Sequence, residues 1–325
     1  MEIIHELQLY LNTQNPSDLA GASLRLIGEN SRLVYRAQKD SRLYIVSMDN
    51  PKQRAKEEIS VAEEYALRER LPKSMGPIVY HLDQGFRMPF IVTEFILAPR
   101  LAEFKNDHQP LSPLYVTGAA RAIAKINAED ITPARFSFLK KERLRSFRRD
   151  ELLWYRRLGE TVGHSRNTAI TKWVLRIFPL AFRAGRVLSG FNGYFAPQNF
   201  SFHLNRADAG TIYWRNDCAI FSNWRDVSYT NDPTSTLMNF AVSVGTKGGI
   251  VSEELFNLLV GTYLTVRPLS GFRTMARARL LERQVSKLVE VLWVYSKEKD
   301  APPLEQVTNI LQRYDGLKKS LETFS

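Results

Sequence analysis

Asn192-Gly193-Tyr194-Phe195-Ala196-Pro197-Gln198-Asn199-Phe200 decides how this chain is read. A glycine, a proline and two asparagines within nine residues are turn chemistry, because each favours a bent backbone for its own reason. Residues 167–190 before it carry a helical apolar pattern that ends in Val187 and Leu188. Phe200-Ser201-Phe202-His203-Leu204 after it alternates as a strand does. The stretch is therefore a loop between a helix and a strand. Two further signals follow, Ala219-Ile220-Phe221-Ser222-Asn223-Trp224-Arg225 and Asn231-Asp232-Pro233.

Upstream, Ile3, Ile4, Leu7 and Leu11 stand at helical spacing and predict a short helix within 1–20. Leu24–Ile27, Leu33–Ala37 and Leu43–Ser47 read as three successive strands, with Gly28-Glu29-Asn30-Ser31 as the first turn. A charged helix is expected over Gln53–Arg70, then strands at Ile78–Leu82 and Phe90–Phe95. Leu114, Val116, Ala119, Ile123 and Ile126 mark an amphipathic helix. Beyond Pro233 the pattern is helical, over Ser235–Val244, Ser252–Val266, Arg273–Ser296 and Leu304–Thr323. The expected class is α+β: a small antiparallel sheet lobe with one helix over 1–97, and a larger helical lobe over 98–325.

This layout resembles the aminoglycoside phosphotransferase and choline kinase-like family, which has a protein-kinase-like fold. The family's catalytic centre reads His-Gly-Asp, four residues, Asn, then a hairpin ending in Ile-Asp-Trp-Glu, then Gly-Asp-Pro. Gly193, Pro197, Asn199, Trp224, Asp232 and Pro233 stand where that pattern has them. The resemblance implies ATP, Mg²⁺ and transfer of a phosphoryl group to a hydroxyl. It also implies that the reactive positions are degraded: Asn192 for the His, Tyr194 for the catalytic Asp, Asn223 for the metal-binding Asp, and Ser47 for the third-strand Lys.

Each replacement removes a chemical ability. A phenol with a reference pKa near ~10 does not accept a proton at neutral pH as a carboxylate does. An amide oxygen can touch a hard cation but brings no charge to it. Arg225 adds a positive charge beside the metal position. The remnant nucleotide cleft would comprise Gly28, Asn30, Glu58, Glu94 and Asn199, with Glu57 or Glu64 as alternatives to Glu58.

These readings point to a catalytically impaired pseudokinase that acts by binding, with no firm cofactor. The alternative is an active phosphotransferase in which Asp217, Asp226 or Asp232 has taken over, Asn199 and Asp226 then holding Mg²⁺. A third reading is a basic nucleic-acid-binding protein.

The chain has 325 residues and a formal net charge of +11, which favours an anionic macromolecule or a protein as partner, nucleic acid included. Six of the ten residues 140–149 are basic, so Lys140, Lys141, Arg143, Arg145, Arg148 and Arg149 form the candidate patch. The five histidines are scattered without metal-ligand spacing, and the single cysteine, Cys218, excludes an internal disulfide framework. No apolar run of about 18 residues predicts a membrane span. The acidic start Met1-Glu2-Ile3-Ile4-His5-Glu6 lacks the features of a secretory signal, so a cytoplasmic protein is expected.

Overall fold

The computed structural model describes residues 2–13, 19–53, 58–105, 111–139, 146–165, 168–195, 199–245, 250–297 and 304–324. The chain opens with helix α1 (Glu2–Thr13) and three strands, β1 (Ser23–Glu29), β2 (Arg32–Lys39) and β3 (Arg42–Asp49). Helix α2 (Val61–Arg68) then leads to β4 (Val79–Asp83) and β5 (Phe90–Glu94). The five strands form one antiparallel sheet in the order β1-β2-β3-β5-β4.

Strand alternation sets the two faces of this sheet. Tyr44, Val46 and Met48 of β3 point to one side, where Leu7 and Leu11 of α1 cover them together with Tyr35, Phe90 and Val92. Arg32, Val34 and Ser47 belong to the other side, since β2 and β3 pair Arg32 with Asp49 and Val34 with Ser47. Helix α2 is shorter than the expected Gln53–Arg70. It starts at Ser60, whose hydroxyl accepts from the Glu63 N–H while the Glu63 carboxylate accepts from the Ser60 N–H. That reciprocal cap satisfies two orphan donors and fixes where the helix begins.

From β5 the chain passes into the larger, mainly helical part. Helices α3 (Pro113–Ala128), α4 (Phe147–His164) and α5 (Thr168–Ser189) precede four short strands. These are β6 (Ser201–Leu204), β7 (Ile212–Arg215), β8 (Cys218–Phe221) and β9 (Val227–Thr230). Their pairing is not sequential throughout: β7 and β8 form a hairpin, while β6 pairs with β9 across it. Helices α6 (Ser235–Val244), α7 (Glu253–Val266), α8 (Phe272–Tyr295) and α9 (Leu304–Glu322) complete the chain.

Two cores hold this part. One gathers α3, α6, α7 and the short strands around Phe202, Phe221, Trp224, Phe240 and Phe256. The other joins α4, α5, α8 and α9 around Trp154, Ile177, Leu188, Leu288 and Leu292. Trp224 anchors the first core against the small lobe. Its Nε1–H donates to the Phe221 carbonyl at 2.6 Å, and a Cβ on Gly76 would lie 2.9 Å from that nitrogen. Among the described residues, no helix is long and apolar enough to cross a membrane.

Candidate functional site

The loop that opens the sequence reading has a structural job. Residues Asn192–Tyr194 form one 3-10 turn after α5. The Asn192 Oδ1 accepts from the Phe147 N–H at 2.9 Å and from the Ser146 hydroxyl at 3.2 Å, so it holds the first turn of α4. Tyr194 lies against Gly271, where a Cβ would meet its ring at 2.9 Å. Gly271 has φ +70°, a left-handed conformation suited to glycine. The Phe195 carbonyl accepts from Asn231 Nδ2 at 2.8 Å, and Asn199 Nδ2 reaches the Tyr194 carbonyl at 3.5 Å. Ala196, Pro197 and Gln198 lie outside the described residues.

A different loop flanks Asn223. After β6, Asn205 donates its N–H to the Asp226 carbonyl at 2.9 Å and its Nδ2–H to Asp226 Oδ1 at 3.0 Å. At the other end, the Thr211 carbonyl accepts from the Ser222 N–H at 3.1 Å and the Ser222 hydroxyl at 2.9 Å. Residues 205–211 are thus tied at both ends to the neighbours of Asn223. The β6–β9 and β7–β8 pairings produce this arrangement by bringing the ends of two strand pairs together.

The side chains here are amide-rich. The Asn205 Oδ1 accepts from Ser228 at 2.9 Å, and its backbone carbonyl accepts from Asn239 at 3.1 Å. The Asn223 Oδ1 is buried without a hydrogen-bond donor. Asp226 is a carboxylate within reach, and its Oδ2 is held by Arg206 at 2.9 Å. His203 is fully buried in β6, with Nε2 2.8 Å from the Ser201 hydroxyl and Nδ1 3.0 Å from the Thr236 hydroxyl. Both ring nitrogens are occupied inside the core.

The other two displaced acids are elsewhere. Asp217 is exposed at the tip of the β7–β8 hairpin with φ +59°. Asp232 is buried and lies 2.7 Å from Arg279, while its Oδ1 accepts from the Thr234 hydroxyl at 2.7 Å. Arg279 is itself buried, and its second nitrogen sits 3.0 Å from both Asp150 and Glu282. Its guanidinium lies 4.6 Å over the Phe147 ring. Burial pushes its pKa down, but Asp232, Glu282 and Asp150 together outweigh that and raise it.

In the small lobe, Ser47 is buried on β3 with no charge of its own. The buried cation on that face comes from the neighbouring strand. Arg32 of β2 forms an ion pair with Glu64 of α2, donates to the Ile59 carbonyl at 2.9 Å and lies 3.6 Å from Asp49. Among the acids weighed for the helix, Glu64 is the one inside α2, Glu57 lies outside the described residues, and Glu58 precedes α2. Glu58 instead lies 3.5 Å from Arg225. Arg225 also donates to the Ser31 hydroxyl at 3.1 Å, and its carbonyl accepts the Ile59 N–H at 3.0 Å. One side chain thus connects the segment after Asn223 to the β1–β2 turn.

That turn carries no glycine cradle. A Cβ on Gly28 would meet only Val34, at 3.6 Å, an ordinary contact. Asn30 is pinned through its carbonyl, which accepts from Asn50 at 2.7 Å. Glu94 at the end of β5 forms a two-pronged pair with Arg215 of β7 and accepts the Ile78 N–H at 3.2 Å. Burial pushes the Glu94 carboxyl up, but the Arg215 guanidinium and the Ile78 N–H hold it below the usual carboxylate range.

Beside Asn205 opens a cavity of about 950 Å³ between residues 205–210 and helices α4, α6, α8 and α9. Cations Arg157, Arg206, Arg283 and Lys287 share its wall with Asp150, Asp208, Glu282 and Glu290. Among the described residues no group of three or more His, Cys, Asp or Glu is placed to hold a metal ion. Of the basic patch, Arg148 and Arg149 are exposed on the first turn of α4, whereas Lys140, Lys141, Arg143 and Arg145 lie outside the described residues.

No protein-family profile matches the chain, and no curated protein matches it. Solved structures do. A spectinomycin phosphotransferase in complex with ADP and spectinomycin aligns with TM-score 0.61 at 11% identity, over 97% of this chain and 98% of that one. The fold is protein-kinase-like. An ethanolamine kinase from Plasmodium vivax aligns with TM-score 0.57 at 11% identity, over 98% of this chain and 89% of that one. A microcompartment-associated aminopropanol kinase aligns with TM-score 0.56 at 15% identity, covering 99% and 98%. The expected two-lobed α+β architecture is therefore the one observed.

The loop that the structure ties to the segment around Asn223 is thus the one after β6. Its signal was available: His203, then Asn205, then Gly210, then β7 and a short hairpin into Asn223. The turn-rich residues 192–200 precede β6, whereas residues 205–211 follow it.

Proposed function

We propose that this chain is a catalytically impaired member of the kinase-like fold that acts by binding. The observation that carries the reading is the loop at Asn205, tied at both ends to the neighbours of Asn223. We read Asn205 as standing in the catalytic-acid place and Asn223 in the metal-acid place, with Gly210 where the family pattern has its asparagine. On this reading Tyr194 is scaffold rather than a replaced base.

ATP and Mg²⁺ are what the fold family implies, and the residues do not fit them. Asn223 offers one neutral oxygen, whereas Mg²⁺ is bound through carboxylates and phosphates. Arg225 beside it reaches to Ser31 and Glu58, the side of the cleft where a phosphate chain would lie. The nearest buried cation of the sheet, Arg32, is neutralised by Glu64 and Asp49. Asn199 directs its Nδ2 to the Tyr194 carbonyl at 3.5 Å.

The ligand we expect is an anionic macromolecule or a protein, met in the cytoplasm, where the single cysteine Cys218 stays reduced. The test is calorimetry with ATP, with and without Mg²⁺, on the wild type and on Asp226→Asn, together with a phosphoryl-transfer assay. Absent or metal-indifferent binding and no transfer support the reading.

One observation favours a second reading. The Asp226 carboxylate lies 3.0 Å from the Asn205 amide and could serve as a displaced acid. Tight Mg²⁺-dependent binding that disappears in Asp226→Asn would establish an active phosphotransferase instead. For the basic patch, changing Arg145, Arg148 and Arg149 to Glu with no effect on any partner would remove it from consideration.

A further inference from the structure

Helix α5 is apolar on two sides. Its inner side, through Ile170, Val174, Ile177, Ala181 and Leu188, is buried in the second core. Its outer side exposes Leu175 at 67%, Phe178 at 46% and Phe182 at 49%. These large apolar side chains stand in solvent on a face opposite the core. Four exposed cations, Lys172, Arg176, Arg183 and Arg186, are interleaved with those apolar residues, and residues 168–189 contain no acid. Arg186 lies 5.5 Å over the Phe182 ring. Leu175, Phe182 and the cations fall at spacings of three and four, hence on one stripe about 20 Å long at 1.5 Å per residue.

The stripe widens onto α4. The Tyr155 ring sits 5.5 Å from the Phe178 ring, and Leu152, three residues before Tyr155, is 62% exposed. Arg148 and Arg149 stand exposed at the start of the same helix.

We infer that the outer face of α5, with the adjoining part of α4, is a docking surface for an anionic lipid bilayer. A bilayer interface accepts aromatic and leucine side chains at the headgroup–acyl boundary while lysines and arginines meet lipid phosphates. The interleaving of both residue kinds, with no carboxylate on α5 and the Glu151 carboxylate of α4 accepting from the Tyr155 hydroxyl at 2.8 Å, is complementary to that surface and to its negative potential. A nucleic acid would use the cations and rings but gains little from Leu152 and Leu175. Another copy of this chain would have to place cation against cation. The inference is independent of whether the cleft is active.

Co-sedimentation with vesicles of phosphatidylcholine alone, and of phosphatidylcholine with phosphatidylglycerol, tests it on the full chain. Wild type is expected to bind the anionic vesicles, weakly or not at all the neutral ones, and to release at high salt. Lys172→Glu with Arg183→Glu should reduce anionic-vesicle binding on the order of a hundredfold, since each basic residue near the surface contributes several-fold. Leu175→Ser with Phe182→Ser should reduce it by about tenfold or more while the circular dichroism melt stays in place. Equal binding to both vesicle types, or no binding to either, overturns the inference. So does binding that neither double variant alters. A dimer that Leu175→Ser with Phe182→Ser dissolves, in a protein indifferent to vesicles, would reassign the face to self-association. Oligonucleotide binding that depends on the cations alone, again with indifference to vesicles, would reassign it to nucleic acid.

Discussion

Arg279 and Asn223 lie in the same lobe and treat charge in opposite ways. Around Arg279, a buried guanidinium meets three carboxylates and two aromatic rings. Around Asn223 and Asn205 the side chains are neutral amides, and the Asn223 Oδ1 is buried without a hydrogen-bond donor. Desolvating a charge is costly unless partners surround it, so a charge is retained where the fold depends on its pairing. The Arg279 cluster fixes Asp232, and with it the turn into α6, against α4 and α8. Neutral amides carry no such desolvation cost, so they need no comparable set of partners.

The largest expected effect breaks the buried side of that comparison. Arg279→Met leaves Asp232, Glu282 and Asp150 without their common cation, and urea unfolding should register a loss of about 3–5 kcal/mol. An unchanged midpoint would mean the cluster is no more structural than the cleft. Arg32→Met comes next. It strips Glu64 of one of two cations, since Arg68 lies 3.6 Å from the same carboxylate, and should cost about 2–3 kcal/mol. Nucleotide affinity should not move, whereas a phosphate-clamping arginine would lose it.

Asn205→Asp sharpens the other side. The new carboxylate lies beside Asp226, and like charges raise each other's pKa. A group whose folded pKa is raised above its unfolded value favours the protonated form. The variant should therefore be less stable than wild type by roughly 1 kcal/mol near neutrality and recover as pH falls through that raised pKa. A variant as stable as wild type at every pH would show that the acid is tolerated there.

The smallest effect concerns Glu94. Its pKa is depressed, so its pair with Arg215 stabilises above the ordinary carboxylate value and is lost as pH falls through the lower folded value. Glu94→Gln should flatten that acid limb by less than about 1 kcal/mol, because the pair is partly solvated. Thermal melts in steps of pH would resolve it.

The small lobe was legible because its strands alternate and its turns are short. Leu33–Ala37 and Leu43–Ser47, expected as successive strands, lie within β2 and β3. The later helices were legible by their apolar period. The site was harder for a topological reason. Which loop adjoins Asn223 depends on β6 pairing with β9 across an intervening hairpin, and strand partnership leaves no local mark in sequence. The Arg32–Glu64 pair was hidden in the same way, since it joins two elements through a register. Arg279 stands at the same four-residue spacing as Arg283 and Lys287, and burial alone sets it apart from them.

Arg225 makes the cleft a mechanical element. Its backbone carbonyl receives the Ile59 N–H at 3.0 Å, and its side chain grips Ser31 and Glu58. Three contacts of one residue therefore hold the segment after Asn223 to the small lobe. The Ile59 amide proton is a natural probe of that seam: its solvent exchange reports how often the Arg225 carbonyl lets it go.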